Sequence, residues 1–122
     1  MEYVSSSPIW LQVMTDLERQ IVTGKRSPGS KLPGGRDLAV EYGINPNTAS
    51  RVYQELEKSG LCETRRGLGT FVTENGERIA ALKRHLAGET IRGFLDRMEK
   101  LGFTREETEN MIRMENGIEE EE

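Results

Sequence analysis

The stretch NPNTASRVY, residues 45–53, combines small polar side chains with an arginine at the start of an amphipathic helix pattern. Asn47, Ser50 and Arg51 lie opposite the apolar positions of this pattern, so their side chains are expected to face outward. Asparagine can pair with two atoms of adenine, arginine with two atoms of guanine, and serine with bases or phosphates. The set therefore suits contacts to the base edges of DNA. The alternative is an ordinary solvent-facing helix surface.

Three helices are predicted in the first half of the chain, and the polar stretch begins the third. The first helix starts near Ile9, where apolar residues recur at helical spacing. A loop rich in proline and glycine follows, and a short second helix runs from about Gly34 to a stop at Gly43. Asn45 is the expected N-cap of the third helix, with Pro46 at its first position. Only about two or three residues separate the last two helices, which is the spacing of a helix-turn-helix.

Two short β segments in LCETRRGLGTFV, residues 61–72, flank a glycine-bearing turn and predict a hairpin. Arg65, Arg66 and Gly67 lie at or beside its tip, and we expect them to reach the minor groove or the DNA backbone. Arg36, at the start of the second helix, is a further candidate for a phosphate or base contact. Three helices followed by a hairpin with a basic tip form the arrangement of a winged helix-turn-helix.

The remainder of the chain predicts a helical hairpin with one apolar face. A hinge at TENG precedes a long helix that Gly102 closes, and Gly88 and Gly93 are expected to weaken or bend that helix. Thr104 and Glu107 form the capping-box pattern of a last helix. Two copies packed about a two-fold axis would bury the apolar face, and the alternative is that the helical hairpin folds back on the preceding three helices and β-hairpin of its own chain. The expected dimerisation residues are Leu82, Leu86, Ile91, Phe94, Leu95, Met98 and Leu101.

The formal net charge is −4, but the acidic residues are unevenly distributed. Residues 1–72 carry nine basic and eight acidic side chains, whereas residues 73–122 carry eight and thirteen and end in the run Glu119 to Glu122. Such a run is typical of a solvated tail. Because phosphates sense charge within a Debye length of about 8–10 Å, an acidic tail does not exclude DNA binding elsewhere.

Catalytic and metal-binding chemistry is poorly supported by the sequence. The one histidine, His85, has no triad or metal-ligand pattern around it, and the one cysteine, Cys62, cannot form an intramolecular disulfide. We therefore expect no enzyme activity and no cofactor. No apolar run is long enough to span a bilayer, and no signal-peptide pattern opens the chain, so a cytoplasmic location without membrane association is expected.

The stretch KLPGGRDLAVEYGINPNTASRVYQELEKSGLCETRRGLGTFV resembles the winged helix-turn-helix of GntR-family bacterial transcription regulators. The first helix is similar as well, so the resemblance covers about residues 8–73. The NPNTASRVYQELE form and the short helical tail resemble the YtrA-type subfamily. The resemblance implies a dimeric repressor that binds a near-palindromic operator in double-stranded DNA, often controlling its own operon or ABC-type transporter genes. The residues specify no pocket for a small-molecule effector, so that partner stays open.

Position by position, the resemblance assigns DNA contacts to particular residues of this chain. They are Arg36, Asn47, Thr48, Ser50, Arg51, Arg66 and Gly67. The chain departs from the family pattern at Gly34, where relatives have a helix-capping serine that can also touch phosphate, and we expect a small loss of affinity from this change. Many relatives have arginine at the positions of Pro46 and Ser50. Arg51 is therefore the leading candidate for base reading.

Together these features predict an α+β protein built from two parts. Residues 1–73 form a winged helix-turn-helix DNA-binding domain, and residues 74–122 form a C-terminal helical dimerisation segment with an acidic tail. The predicted function is sequence-specific repression, by a dimer, of its own and a neighbouring transporter-type operon. The alternative is a winged-helix protein-interaction module without DNA binding, for which the acidic net charge is the main argument.

Overall fold

The computed structural model describes residues 1–115 and contains the three helices, the hairpin and the two C-terminal helices expected from the sequence. The elements are α1 (Ile9–Val22), α2 (Gly35–Tyr42), α3 (Pro46–Lys58), β1 (Cys62–Arg65), β2 (Gly69–Val72), α4 (Gly76–Lys100) and α5 (Arg105–Glu115). This order confirms an α+β winged helix-turn-helix followed by a helical part. The chain divides into two units, Met1–Lys83 and the residues from Arg84 onward. The predicted boundary between a DNA-binding domain (residues 1–73) and a dimerisation segment (residues 74–122) is defined by function, and it stays a prediction.

The core of the first unit lies between the apolar faces of α1, α2 and α3. In α1, Val13, Leu17 and Ile21 are buried as the helical spacing predicts, whereas Ile9 at the same spacing is exposed. α3 packs against both α1 and α2. The other buried apolar residues are Leu32, Leu38, Ala39, Tyr42, Ala49, Val52, Tyr53, Leu56, Leu61, Cys62 and Val72. One side of α3 is thus fixed in the core, and the opposite side is exposed.

The turn between α2 and α3 depends on a glycine and an asparagine. Gly43 closes α2 in the left-handed conformation, with φ 64° and ψ 40°, which glycine adopts without strain. The side-chain oxygen of Asn45 accepts hydrogen bonds from the backbone N–H groups of Asn47, at 2.7 Å, and Thr48, at 3.3 Å. Pro46 occupies the first helical position, as predicted. The side chain of Asn45 is therefore used within the protein.

Two tyrosine hydroxyls add hydrogen bonds between α1 and α2 and between α3 and the loop before α2. The hydroxyl of Tyr42 on α2 donates to the carboxylate of Asp16 on α1 at 2.6 Å. The hydroxyl of Tyr53 on α3 donates to the backbone carbonyl of Pro33, just before α2. Burial raises the pKa of both hydroxyls well above the usual value of 10.0, and the hydrogen bond to Asp16 raises that of Tyr42 further. Both hydroxyls therefore remain protonated donors at neutral pH.

The hairpin pairs β1 with β2 in antiparallel register, with Cys62 opposite Val72. The loop before α2 also pairs with β2, because Lys31 forms a bridge with Phe71. The proline and glycine content of this loop predicts only irregular structure, since composition does not reveal backbone pairing between distant segments. The hairpin is therefore anchored on the side of β2 as well as by its own turn.

The second unit contains most of α4 and all of α5. α4 is continuous through Gly88 and Gly93. The predicted capping box begins α5: the backbone N–H of Thr104 donates to the Glu107 carboxylate at 2.9 Å, and the N–H of Glu107 donates to the Thr104 hydroxyl at 3.1 Å. This reciprocal bonding confirms the helix start. The acidic run from Glu119 to Glu122 lies outside the described residues.

Replacing the N-cap of α3 tests the turn. We expect Asn45→Ala to lower the free energy of unfolding by about 1 kcal/mol, because two backbone N–H groups lose their acceptor. Urea unfolding measures this difference. Asn47→Ala is the matched control, because its exposed side chain lies in the same turn and makes no capping bond. An equal loss in both variants would show that Asn45 is not the cap.

The buried thiol of Cys62 makes the stability of the folded chain decrease at alkaline pH. Burial, with smaller effects from Glu57 and Glu63, raises its pKa from 9.0 to about 12. The unfolded chain loses this proton first, so the stabilisation is complete below pH 9 and decreases as the pH rises above it. We expect ionisation of the thiol in the unfolded chain to lower the free energy of unfolding by about 1 kcal/mol between about pH 8 and pH 10, as measured by urea unfolding. The control Cys62→Ala removes the thiol but keeps the buried tyrosines, so its free energy of unfolding should fall less over this pH range. Identical pH profiles for the wild-type and Cys62→Ala proteins would contradict this role of the thiol.

Candidate nucleic-acid interface

The outward side of α3 presents the polar residues that the sequence singled out. Asn47, Ser50 and Arg51 are exposed, and Thr48 is half-buried. The side chains of Asn47 and Ser50 make no hydrogen bond within residues 1–115. Their donors and acceptors are therefore available to a molecule outside the described chain.

An aromatic ring lies beneath Arg51. The guanidinium carbon of Arg51 is 4.3 Å from the centre of the Trp10 ring. Trp10, at the start of α1, is partly buried and packs against the core. Arg51 makes no hydrogen bond or ion pair within the described part of the chain, so the ring is its one described partner. The sequence places Trp10 in the apolar stripe of α1 but shows no sign of which side chain on another helix it meets.

The start of α2 carries an exposed arginine and backbone N–H groups without a side-chain cap. Gly34 is the N-cap residue, and no side chain accepts from the first turn. Arg36 is exposed and makes no ion pair among residues 1–115. Because the helix dipole adds partial positive charge to free N–H groups, such a helix start suits an anion. Arg36 and this first turn together form a position suited to a phosphate.

Arg65, at the end of β1, is balanced within the hairpin. Its guanidinium donates to Glu63 at 2.7 Å and lies 3.9 Å from Glu74. The same group lies over the ring of Phe71, 4.5 Å from the ring centre. These contacts offset the charge of Arg65 and fix its side chain. The structure thus places this predicted DNA contact in a different environment from its neighbour Arg66.

The tip of the hairpin carries exposed cations. Arg66 is exposed and makes no ion pair within the described residues, and Gly67 beside it has φ 78°, which the tight turn requires. Lys31 also reaches this end: a Cβ added to Gly69 would lie 2.8 Å from its Cε atom. Lys31 is exposed and has no ion pair in the described chain. Lys31 is not among the residues predicted from the sequence, because its pairing with β2 is not visible in the local pattern.

Metal binding and membrane insertion have no matching feature among residues 1–115. These residues contain no group of three or more His, Cys, Asp or Glu side chains that could hold a metal ion. None of their helices is long and apolar enough to cross a membrane. The one histidine, His85, pairs with Glu89 on the next turn of α4 at 2.5 Å. That histidine is thus engaged in a local helix pair.

The predicted dimerisation residues differ in exposure. Leu82 is partly buried and packs against the core of the first unit. Ile91 is 55% exposed and Leu101 is 73% exposed. The half-buried members are Leu86, Phe94, Leu95 and Met98. α5 adds the exposed residues Met111, Ile112 and Met114. Both helices of the second unit therefore present apolar surface.

Comparisons of sequence point to one family. Residues 10–72 match the model of bacterial regulatory proteins, gntR family. The chain is 42% identical over 106 residues to the uncharacterized HTH-type transcriptional regulator YhcF of Bacillus subtilis (strain 168), covering 87% of this chain and 88% of YhcF. It is 44% identical over 73 residues to the HTH-type transcriptional repressor YtrA of the same organism, covering 60% of this chain and 56% of YtrA.

Solved structures show the same likeness. A GntR family transcriptional regulator from Listeria monocytogenes matches with a TM-score of 0.84 and 34% identity, over 92% of this chain and 98% of that one. AraR(DBD) in complex with operator ORX1 matches with a TM-score of 0.55 and 27% identity, over 60% of this chain and 93% of that one. The first match extends through most of the chain, and the second covers a smaller part of it.

Proposed function

The chain belongs to the GntR family of bacterial regulatory proteins, in its YtrA-type subfamily, and we propose that it is a sequence-specific repressor that binds operator DNA as a homodimer. Family membership makes it a helix-turn-helix transcriptional regulator. The proposal adds repression, the homodimer and the targets, which are its own operon and a neighbouring transporter-type operon. The proposed place of action is the cytoplasm.

The observation that carries the proposal is the exposed polar side of α3. In a helix-turn-helix the second helix of the pair enters the major groove, where each base pair shows a distinct pattern of donors and acceptors. Arg51 is the proposed reader of guanine and Asn47 of adenine. Thr48 and Ser50 are assigned to bases or to phosphates. The side chains of Asn47 and Ser50, and the N–H groups of Arg51, are unoccupied within residues 1–115, so no internal contact has to break first.

Cations around α3 supply the proposed phosphate contacts. Arg36, Lys31 and Arg66 make no ion pair within the described residues. Neutralising phosphates releases counterions and gives affinity that does not depend on sequence. Arg65 is the weaker candidate, since Glu63 already balances its charge. The net charge of −4 does not by itself exclude binding, because residues 1–72 carry nine basic and eight acidic side chains and the acidic excess belongs to residues 73–122.

Two relatives support the regulatory part of the proposal. YtrA, which is 44% identical over the matched residues, is a transcriptional repressor. AraR(DBD) forms a complex with an operator, and it shares the fold at 27% identity. Binding to an operator and repression are therefore the activities that we assign to this chain.

The homodimer rests on the apolar surface of the second unit. Ile91 and Leu101 on the α4 side, and Met111 and Ile112 on α5, are exposed to water in the single chain. A second copy related by a two-fold axis would bury such a surface. It would also present two copies of α3 about 34 Å apart, one turn of DNA, and thus require a near-palindromic operator. Leu82 is the least available of the predicted dimerisation residues, since it packs in the first unit.

The function is tested by binding of the wild-type chain to two duplexes, the DNA upstream of its own gene and a random sequence of equal length. We expect the upstream DNA to bind at least about a thousandfold more tightly at physiological salt. Affinity for both should fall linearly on a log–log plot against salt, because phosphate neutralisation releases counterions. A protein-interaction module without a DNA role would bind neither duplex, and that result would overturn the proposal.

The same two duplexes separate base reading from phosphate contact. Arg51→Ala should weaken binding to the upstream DNA by about 1–3 kcal/mol and change binding to random DNA little. Arg66→Ala should weaken both similarly and reduce the salt slope by about 1. Lys58→Ala removes one charge at the far end of α3 and should leave the ratio of affinities unchanged. If the Arg51 and Arg66 variants behave alike, their roles are misassigned.

The homodimer is tested by light scattering at micromolar concentration. The wild-type chain should have the mass of two copies. The double variant Ile91→Lys with Leu101→Lys should raise the dimer dissociation constant at least about tenfold, because two charges would enter an apolar contact. Val40→Lys is the matched control, since Val40 is 82% exposed on α2 and lies outside the proposed interface. A wild-type monomer, or a double variant that dimerises like the control, would exclude this interface.

A further inference from the structure

We propose that Trp10 is a positioning residue for DNA specificity, which holds the guanidinium of Arg51 in the orientation that reads a guanine. This inference rests on the proposed function and adds a residue of α1 to the reading machinery. Trp10 does not itself touch DNA in this proposal. Its role is carried out through Arg51.

The geometry brings two helices to one point. Trp10 lies in the first turn of α1 and packs partly buried against the core, so its ring has little freedom to move. Arg51 lies in the second turn of α3, and its guanidinium carbon is 4.3 Å from the ring centre. This distance is within the range of a cation–π contact, about 6 Å or less. The packing of α1 against α3 therefore fixes the platform on which Arg51 rests.

The chemistry of the guanidinium explains why such a platform favours reading. A guanidinium is planar, and stacking on a ring uses its flat face, whereas its N–H donors point outward in the plane. Two of these donors match the O6 and N7 acceptors of guanine in the major groove. The contact with the ring and the hydrogen bonds to guanine therefore use different parts of the guanidinium. A side chain that is already oriented loses less conformational freedom on binding, which raises affinity for the matching base.

The β-hairpin has a second arginine over an aromatic ring, which can be compared with Arg51. Arg65 also lies over a ring, that of Phe71, at 4.5 Å. There the donors are engaged, because Arg65 bonds to Glu63 at 2.7 Å. Arg51 has the ring but makes no hydrogen bond or ion pair within residues 1–115. The ring contact at Arg65 belongs to an internal cluster, whereas the ring contact at Arg51 leaves the donors of its guanidinium without a partner among residues 1–115.

The competing explanation is that Trp10 only fills space at the edge of the core. A space-filling ring would contribute to folding and leave the base preference unchanged. The two explanations differ for Trp10→Leu, which keeps an apolar side chain but removes the aromatic face.

The stack is tested first without DNA. Trp10 is the single tryptophan of the chain, so the emission spectrum reports on its ring alone. We expect Arg51→Ala to shift that emission in the free protein, while Ser50→Ala, a matched neighbour on the exposed side, leaves it unchanged. Identical spectra for wild-type and Arg51→Ala protein would show that the stack does not exist in solution and would overturn the proposal.

The positioning role is tested on the duplex that the wild-type chain enriches from a random library. For each variant, the ratio of affinities for this duplex and for the unselected library is measured. We expect Trp10→Leu to lower the ratio about twofold to twelvefold, because the Arg51 side chain must then be ordered on binding, and Trp10→Phe to lower it less. In an Arg51→Ala background, Trp10→Leu should change the ratio no further.

The outcomes separate the inference from the proposed function. If the wild-type chain enriches no sequence, the proposed function and this inference fail together. If it enriches a sequence and Trp10→Leu retains the ratio, only the inference fails. Urea unfolding of each variant gives the folded fraction by which affinities are corrected. A loss in Trp10→Leu that is equal on both DNAs, or that persists in the Arg51→Ala background, assigns Trp10 a structural role and refutes positioning.

Discussion

The burial of one side of α3 is the constraint on which the remainder of the interface depends. Ala49, Val52 and Leu56 have no exposed surface, and they fix the rotation of the helix about its own axis. Because residues three and four positions apart share a helix face, burying these three directs the intervening polar residues to water. The hydroxyl of Tyr53 adds a bond to the Pro33 carbonyl and fixes the start of α2 beside α3. One packing arrangement thus sets both the exposed polar side chains that we propose as base readers and the helix start suited to a phosphate.

Local pairing, rather than net charge, determines which cations are available. Two arginines of the first unit lie over aromatic rings at similar distances, Arg51 at 4.3 Å and Arg65 at 4.5 Å. Only Arg65 also meets carboxylates, at Glu63 and Glu74. The net charge of the chain does not show whether a given arginine is paired with a carboxylate. A chain with an acidic total can therefore present a basic surface to DNA, provided that the cations of that surface lack internal partners.

The sequence predicts those features that depend on neighbouring residues. The helix stop at Gly43, the cap at Asn45 and the reciprocal bonds of Thr104 and Glu107 all form as expected, because each needs only a few adjacent residues. Helical spacing likewise predicts the buried side of α3 and hence its exposed side. For this reason the elements and the outward residues could be read from the chain alone.

Contacts between distant segments could not be predicted in the same way. Lys31 pairs with Phe71, and Trp10 meets Arg51, across long stretches of chain that periodicity does not relate. Such long-range contacts determine whether a candidate side chain has a partner within the chain. The candidate residues of the proposed interface could therefore be named from the sequence, but the ring that lies beneath Arg51 could not.

Hydroxyl-radical footprinting of the wild-type chain on its enriched duplex tests the central claim most directly, namely that two copies of α3 read DNA from one face. The account predicts two protected patches of equal extent, centred about 10 base pairs apart, since the half-sites of a two-fold dimer lie one helical turn from each other. A single protected patch, or a uniform footprint without this spacing, would contradict it.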